Sequence, residues 1–432
     1  MNNPSNAEKS LQPVSDRMRA DWNDRAREDA HYYVAFGALQ QSEEDFAATA
    51  ADVIRLLERD LRRFPKGVPL RALEIGCGPG RLMKPLSRHF AEIHGVDVSD
   101  EMIRIARERL KDIPHAHVHA TNGADLSEFP ADSFDFVYSY AVFQHIPSRD
   151  VVFEYLRETR RVLKPGGIFH GQFNSLRLSH AVDTWRGVTF SADDIRAFTR
   201  EQGLQLMSLE GAETLQMWAT WRKRPASVTA STGAPRIRRL TNAYTSEPLI
   251  PSRGRNAAVS LQVENFPADC DLNTLGVLID GIPSTPLYIG PSEDVGVQQV
   301  NAWLPGDVRT GIVPVELLWN GSRMCPPATV RVVPAGPLVP RIVSISDGIN
   351  ISDSRITTGL LKIKIEEVRT PESIEVWVDD RRLELLANTC IDPVPPRYEV
   401  DARLPPDLRP GAHRLEIRIG RRRLLPAEIQ VT

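Results

Sequence analysis

Two stretches of this 432-residue chain lie 100 residues apart and read almost alike. Val300-Asn-Ala-Trp-Leu-Pro-Gly-Asp-Val-Arg-Thr-Gly311 matches Val400-Asp-Ala-Arg-Leu-Pro-Pro-Asp-Leu-Arg-Pro-Gly411. The match reaches Pro326 and Pro426 downstream. Upstream, Ala234-Pro-Arg-Ile237 echoes Val339-Pro-Arg-Ile342, and Val277-Leu-Ile-Asp280 echoes Val376-Trp-Val-Asp379. A shared Leu-Pro-x-Asp-apolar-Arg-x-Gly segment means two copies of one unit of roughly 100 residues. The unit reads as all-β. Val259-Ser-Leu-Gln-Val263, Leu361-Lys-Ile-Lys-Ile365 and Leu415-Glu-Ile-Arg-Ile419 alternate with period two, and no helical period appears. Of the 33 prolines, 22 follow Pro225, which suits turns and strand edges. Residues 236–335 and 336–432 are therefore expected as tandem domains, with the size and strand spacing of a β-sandwich.

The first half is different. It holds nine of the ten histidines, the residues best suited to acid–base chemistry near neutral pH. A helical pattern runs from Asp16 to Arg63, after a polar start expected to fray. Strands at 72–75, 93–98, 115–120, 134–139 and 168–173 then alternate with helices at 81–90, 101–110 and 151–163. Ser99 and Ser191 are placed to cap helices, and a hairpin over 204–221 closes the pattern. Such alternation implies a parallel, doubly wound α/β sheet over 1–224. Residues 225–235, PASVTASTGAP, read as a linker, so that the part before it is expected to stand alone. The net charge of −3 excludes a polycation built to coat nucleic acid. No run of 18 apolar residues suggests a membrane span, and the start has no signal-peptide core. The expected compartment is the cytoplasm. Cys77, Cys270, Cys325 and Cys390 are scattered without a Cys-x-x-Cys pair, so no zinc site is signalled, and Cys270 and Cys325 are expected as free thiols.

Ala72-Leu-Glu-Ile-Gly-Cys-Gly-Pro-Gly-Arg81 runs strand, glycines, helix. Gly76, Gly78 and Gly80 allow a tight turn whose backbone lies against a ligand. Asp97 ends the next strand, where a carboxylate can accept both hydroxyls of a ribose. The sequence here resembles the class I S-adenosylmethionine-dependent methyltransferases, close to the type 11 group. LEIGCGPG looks like that family's first motif and GVDVS (95–99) like its second. Asn122-Gly-Ala-Asp-Leu126, Val142-Phe-Gln-His-Ile-Pro147 and Arg161-Val-Leu-Lys-Pro-Gly-Gly167 resemble its later segments. The resemblance implies a Rossmann-like, seven-stranded mixed sheet with a final antiparallel strand, and S-adenosyl-L-methionine as cofactor. It implies cofactor contacts at Glu74, Gly76, Cys77, Gly78, Gly80, Asp97, Val98, Met102, Asn122, Gly123, Ala124 and Tyr140. Glu74 either orders the loop near the methionyl amine or simply caps backbone below it. Met102 packs either on adenine or in the core.

His145, after the fourth strand, is the candidate for general base or acceptor orienter, against a purely structural role in its turn. Trp22, Tyr32 and Tyr33 form a lid or pack on the sheet, and His170 and Trp185 are further acceptor-pocket candidates. His115, His117 and His119 share a strand face, but span about 13 Å, too far for one ion, and no metal is expected. DNA-methylation motifs are absent, so the expected acceptor is a small molecule, a sugar or glycan, or a peptide-like metabolite. The β domains resemble the immunoglobulin-like IPT/TIG type, with acceptor recognition or homo-oligomerisation as roles. Trp303, Trp319 and Trp377 either stack on sugars or fill cores; for Trp319 and Trp377 the core is expected. The alternative for the whole chain is a non-catalytic cofactor binder whose function lies in the β domains.

Overall fold

Short apolar runs of the first half become strands of one sheet. They are β1 (Arg71–Ile75), β2 (Glu92–Asp97), β3 (Ala116–Ala120), β4 (Phe134–Ser139), β5 (Leu163–Phe173), β6 (Leu204–Glu210) and β7 (Met217–Lys223). In the computed structural model they lie in the order β3-β2-β1-β4-β5-β7-β6. The first five are parallel, and β7 runs antiparallel to β5 and β6. The central strands β1 and β4 are almost wholly buried, as a sheet covered on both faces requires. The structure describes residues 6–35, 39–176, 182–227, 233–349, 354–393 and 396–432, so residues 228–232 of the expected linker lie outside the described residues.

The helices are α1 (Asn6–Ala35), α2 (Glu43–Ala48), α3 (Ala51–Leu61), α4 (Met83–Leu86), α5 (Asp100–Leu110), α6 (Arg149–Val162) and α7 (Ala192–Glu201). Ser99, Ser148 and Ser191 cap α5, α6 and α7 by accepting from backbone N–H groups. Two boundaries differ from expectation. Helix α1 already begins at Asn6, within the start expected to fray, and its backbone leaves the helical region at Asp29. The helix expected over 81–90 shrinks to α4 and a single 3-10 turn. Pro85 has no N–H to donate back to Arg81, which weakens the turn before it. No described helix is long and apolar enough to cross a membrane.

The two halves of the tail share one strand order. In the first, Arg236–Asn242, Ala258–Glu264, Val297–Trp303 and Pro286–Pro291 lie side by side. In the second the order is Arg341–Asp347, Leu360–Glu366, Pro396–Arg403 and Glu384–Pro393. Each has a second sheet, centred on Gly311–Trp319 and Gly411–Ile419. In the second half both sheets feed one core, with Leu361, Ile363 and Val400 from one and Val376, Leu415 and Ile417 from the other. The Leu-Pro-x-Asp segment is the same turn twice. Leu304 and Leu404 are buried, and their N–H groups donate to Ala257 O at 2.8 Å and Gly359 O at 2.9 Å. Gly311 and Gly411 both take positive φ, +116° and +141°, which explains the glycine that ends each motif. Trp319 packs half-buried against the core. Trp377 does not lie in the core as expected. It alternates with buried Val376 and Val378, so it faces outward, under the Arg418 guanidinium at 4.2 Å.

Residues 1–28 with 50–335 form one compact unit, and 29–49 with 336–432 another. The first β repeat is thus not set apart from the α/β sheet. Strand β6 would leave a row of unpaired backbone groups, and the repeat covers it. Tyr288 of Pro286–Pro291 pairs antiparallel with Ser208, so the sheet continues through eleven strands to Arg236–Asn242. Leu272 N–H donates to Leu206 O at 2.8 Å, Gln205 Nε2 to Ala268 O at 2.9 Å, and Arg196 Nη1 to Leu272 O at 2.8 Å. One apolar cluster runs from Phe173, Phe198 and Trp221 to Val259, Leu261 and Val315.

At about 1 kcal/mol for each such hydrogen bond, the seam adds several kcal/mol. A chain ending at Arg224 is therefore expected to precipitate or to melt roughly 10 °C or more below the full chain in differential scanning calorimetry. A shortened chain melting within about 2 °C of the full one would show that the seam is dispensable.

Candidate functional site

The glycine loop is held from below by β2. The N–H groups of Gly76 and Cys77 both donate to Val96 O, at 2.8 and 3.0 Å. Gly76 has φ +71°, and a Cβ there would fall 2.2 Å from Val142 Cγ2, so only glycine fits. Asp97 closes the arrangement. Its Oδ2 accepts from Gly78 N–H and its Oδ1 from Ser99 N–H, both at 2.9 Å. Burial pushes its carboxyl up to about 6, against the pull of these N–H groups. Val98 N–H is a third backbone donor to the carboxylate, whose two oxygens offer about four acceptor sites, so capacity for a hydroxyl donor is left.

Beneath the loop, Tyr138 donates to Glu74 Oε2 at 2.9 Å. Burial pushes the Glu74 carboxyl up to about 8, so it is protonated at neutral pH. Burial also raises the Cys77 thiol well above its usual range. Cys77 packs where a Cβ on Gly95 would fall, and it is a filler rather than a nucleophile. Arg81, buried beside the loop, bonds to Tyr140 and stands 5.5 Å from its ring centroid, while Tyr140 stacks flat on Trp218 at 5.6 Å.

Around the ends of β2 and β3, Val98 packs against Gly123, where a Cβ would approach Val98 Cγ2 to 2.7 Å. Met102 is buried in the first turn of α5. The Asn122 side chain turns back on its own loop. Its Oδ1 accepts from Ala124 N–H at 2.9 Å and Asp125 N–H at 3.1 Å, and its Nδ2 donates to Asp125. Its polar atoms thus shape the turn, which presents Gly123 and half-buried Ala124.

His145 stands on the other side of the β4 end. It is only 6% exposed. Its Nδ1 lies 2.7 Å from Trp185 O, which can only accept, so the proton is assigned to Nδ1. Nε2 is then an acceptor, 3.2 Å from the Gln144 amide. Burial lowers the imidazole to about 4, so it is neutral at physiological pH. Gln172 fastens the segment by donating to Gln144 Oε1 and Leu215 O and accepting from Ala141 N–H, all at 2.9 Å. Ala141 itself sits at φ +56°, a conformation of the kind that costs about 1 kcal/mol or more in a residue other than glycine.

Helix α1 and the segment 183–190 close over this end of the sheet. Trp22 meets His145 edge-on at 5.3 Å, and Trp185 lies 5.4 Å from it. The Arg25 guanidinium sits between the indoles, 4.7 Å from Trp22 and 5.1 Å from Trp185, and donates to Thr184 O. Arg19 reaches Asp100 and Thr121 O, and Asn23 Oδ1 accepts from Ser99 Oγ and Glu101 N–H.

One expected acceptor-pocket residue lies elsewhere. His170 is not in an acceptor pocket: it is fully buried within the sheet, Nδ1 2.5 Å from Asp60 Oδ2 and 2.9 Å from Thr220 Oγ1. An apolar interior position admits a histidine only with such a partner. Tyr32 and Tyr33 meet edge-to-face at 5.2 Å in the segment 29–49, which belongs to the second unit. The three alternating histidines part company. His117 and His119 join Glu92, His94 and Glu128, whereas His115 reaches back to Ser87 O. Sequence reasoning missed Arg81, Gln144, Gln172 and Arg25. Arg81 had a signal, as the first residue after the last glycine; the others have none short of the fold.

Residues 73–170 match the family model described as a methyltransferase domain. Ubiquinone biosynthesis O-methyltransferase of Xanthomonas axonopodis pv. citri is 27% identical over 192 residues, covering 40% of this chain and 77% of that one. Trans-aconitate 2-methyltransferase of Rhodopseudomonas palustris is 32% identical over 151 residues, 34% of this chain and 48% of that one. The chain thus spans about half the length of the latter. Among solved structures, magnesium protoporphyrin IX methyltransferase of Synechocystis with bound SAH aligns at TM-score 0.38 and 15% identity, over 49% of this chain and 99% of that one. The matched segment, 73–170, holds the glycine loop, Asp97 and His145.

Proposed function

We propose that the protein is an S-adenosylmethionine-dependent methyltransferase acting on a small-molecule acceptor with a hydroxyl group. The observation that carries this reading is Asp97, fixed to the glycine loop through Gly78 and to α5 through Ser99, with oxygen lone pairs left over. S-adenosylmethionine is the cofactor, and when bound it supplies an electrophilic methyl group on a sulfonium. Asp97 would receive its ribose hydroxyls, the loop at Gly76 to Gly80 would take its backbone side, and Val98, Met102, Gly123 and Ala124 would hold its base. Glu74, paired with Tyr138, and Arg81, paired with Tyr140, flank the loop.

The acceptor lies against Trp22, Trp185 and His145. The single lone pair of His145 Nε2, which faces the Gln144 amide at 3.2 Å, would exchange that partner for the acceptor hydroxyl and so orient its oxygen. An imidazole titrating near 4 is too weak a base to ionise an alcohol beforehand, so orientation is its role. Indoles and helix α1 exclude water. The curated relatives named above are a ubiquinone-biosynthesis and a trans-aconitate methyltransferase, and both point to small acceptors.

The tail consists of two immunoglobulin-like domains of the IPT/TIG kind, and the first completes the catalytic fold. A glycan acceptor is the second reading, favoured by exposed Tyr244 beside Trp303 with ring centroids 6.2 Å apart. We place the protein in the cytoplasm, where free thiols such as Cys270 and Cys325 persist.

Calorimetry is expected to show S-adenosylmethionine binding, weakened about ten-fold by Asp97→Asn. Absence of heat in the native protein would sink the reading. Only ionised Asp97 receives two hydroxyls well, and the free carboxyl titrates near 6. Affinity is therefore expected to be flat between about pH 6 and 7 and to fall about ten-fold per unit below pH 6. Glu74, pushed up to about 8, stays protonated below pH 7 and adds no slope there. His145→Ala is expected to lower kcat by about ten-fold or more with the cofactor KM unchanged. An unchanged kcat would remove His145 from the reaction, and transfer to no hydroxyl compound in a metabolite screen would favour the non-catalytic alternative.

A further inference from the structure

We propose that Arg63 is a positioning residue through which the first β repeat sets cofactor affinity; this rests on the cofactor reading given above. Arg63 follows α3 and is nearly buried. Its Nε donates to Asp60 Oδ1 at 2.8 Å, and its Nη1 donates to Ile289 O of the repeat, also at 2.8 Å. Its guanidinium lies 5.3 Å from the Tyr288 ring centroid, and that of Arg59 lies 4.8 Å away. The fit is close: a Cβ on Gly290 would fall 2.2 Å from the Tyr288 hydroxyl and 2.8 Å from Arg63 Nη2. Strand Pro286–Pro291 thus holds the cation in place.

What Arg63 holds is a chain of buried groups leading to the loop. Asp60 is fully buried and ionised; against its burial, Arg63 and His170 hold its carboxyl well below the usual range. Asp60 Oδ2 takes His170 Nδ1 at 2.5 Å and Thr220 Oγ1 at 3.0 Å. The His170 ring rests 5.0 Å from Trp218, Trp218 stacks on Tyr140, and Tyr140 carries Arg81 beside the glycine loop. Each link is a packed contact in a closely filled interior, where a shift is passed on rather than absorbed. If the repeat lets go of Arg63, Asp60 and His170 re-form their pairing, and the Trp218–Tyr140 stack under Arg81 moves with them.

The test is calorimetric titration of S-adenosylhomocysteine into the full chain. Arg63→Ala is expected to weaken binding about ten-fold. Arg196→Ala loses seam bonds to Leu272 O and Pro286 O without touching the chain of groups, and is expected to stay within about two-fold of native. In a Tyr140→Ala background the Arg63→Ala effect should shrink below about two-fold, since the route is already cut. Equal losses from Arg63→Ala and Arg196→Ala, no loss from Arg63→Ala, or an undiminished loss in the Tyr140→Ala background each overturn the proposal. No binding by the native protein overturns the cofactor reading itself. Should Arg63→Ala fail to fold, Tyr288→Leu keeps the Asp60 pair, removes the ring beneath the guanidinium, and is expected to weaken binding about three-fold.

Discussion

The exposed edge of β6 is the constraint on which the arrangement of the first unit depends. An α/β sheet that ends on an antiparallel hairpin leaves one strand with a row of unmatched N–H and C=O groups. Here the segment 268–273 and strand Pro286–Pro291 take up that row, through Gln205, Leu206 and Ser208. Once that edge is shared, a buried carboxylate at the seam becomes tolerable. Asp60 has no exposure, and stripping one partner from such an ion typically costs about 3–5 kcal/mol. Its partners come from three places: Arg63 after α3, His170 in β5 and Thr220 in β7.

A second carboxylate organises the opposite end of the sheet. Asp97 is to the glycine loop what Asp60 is to the seam: each joins separate elements through its two oxygens. The two acids differ in their company. Asp60 has a guanidinium and an imidazole and is held ionised, whereas Asp97 has only backbone dipoles and its carboxyl rises towards 6. An acid left without a cation keeps a carboxyl that titrates closer to neutral pH.

The local signals in the sequence carried the α/β sheet well. Strands β1, β2, β4 and β5, the Ser99 and Ser191 caps, the glycine loop and Asp97 follow from periodicity and turn chemistry, which depend on near neighbours in the chain. What was illegible depends on distant ones. His170 looks the same in sequence whether it lines a pocket or pairs with Asp60, 110 residues away. Asn122 gives no sign that its amide closes its own turn. Trp377 sits in an alternating strand, and alternation alone does not say which face is inner, so the indole expected in the core is on the outside. The linker composition at 225–235 signals a flexible join, but it is silent on whether the parts joined then pack together.

The strand order shared by the two halves of the tail carries a consequence for how substitutions are tolerated. Pro286–Pro291 and Glu384–Pro393 occupy the same place in the two copies. The first is pinned between its own sheet and β6. The second ends its sheet, and breaks its register twice, between Leu385 and Ala387 and between Cys390 and Asp392, as free edges often do to discourage pairing. Copies alike in topology are thus unequal in freedom. One has been drafted into the body of the α/β sheet and must keep Tyr288 and Gly290 as they are, while its twin can drift in sequence so long as its own core holds.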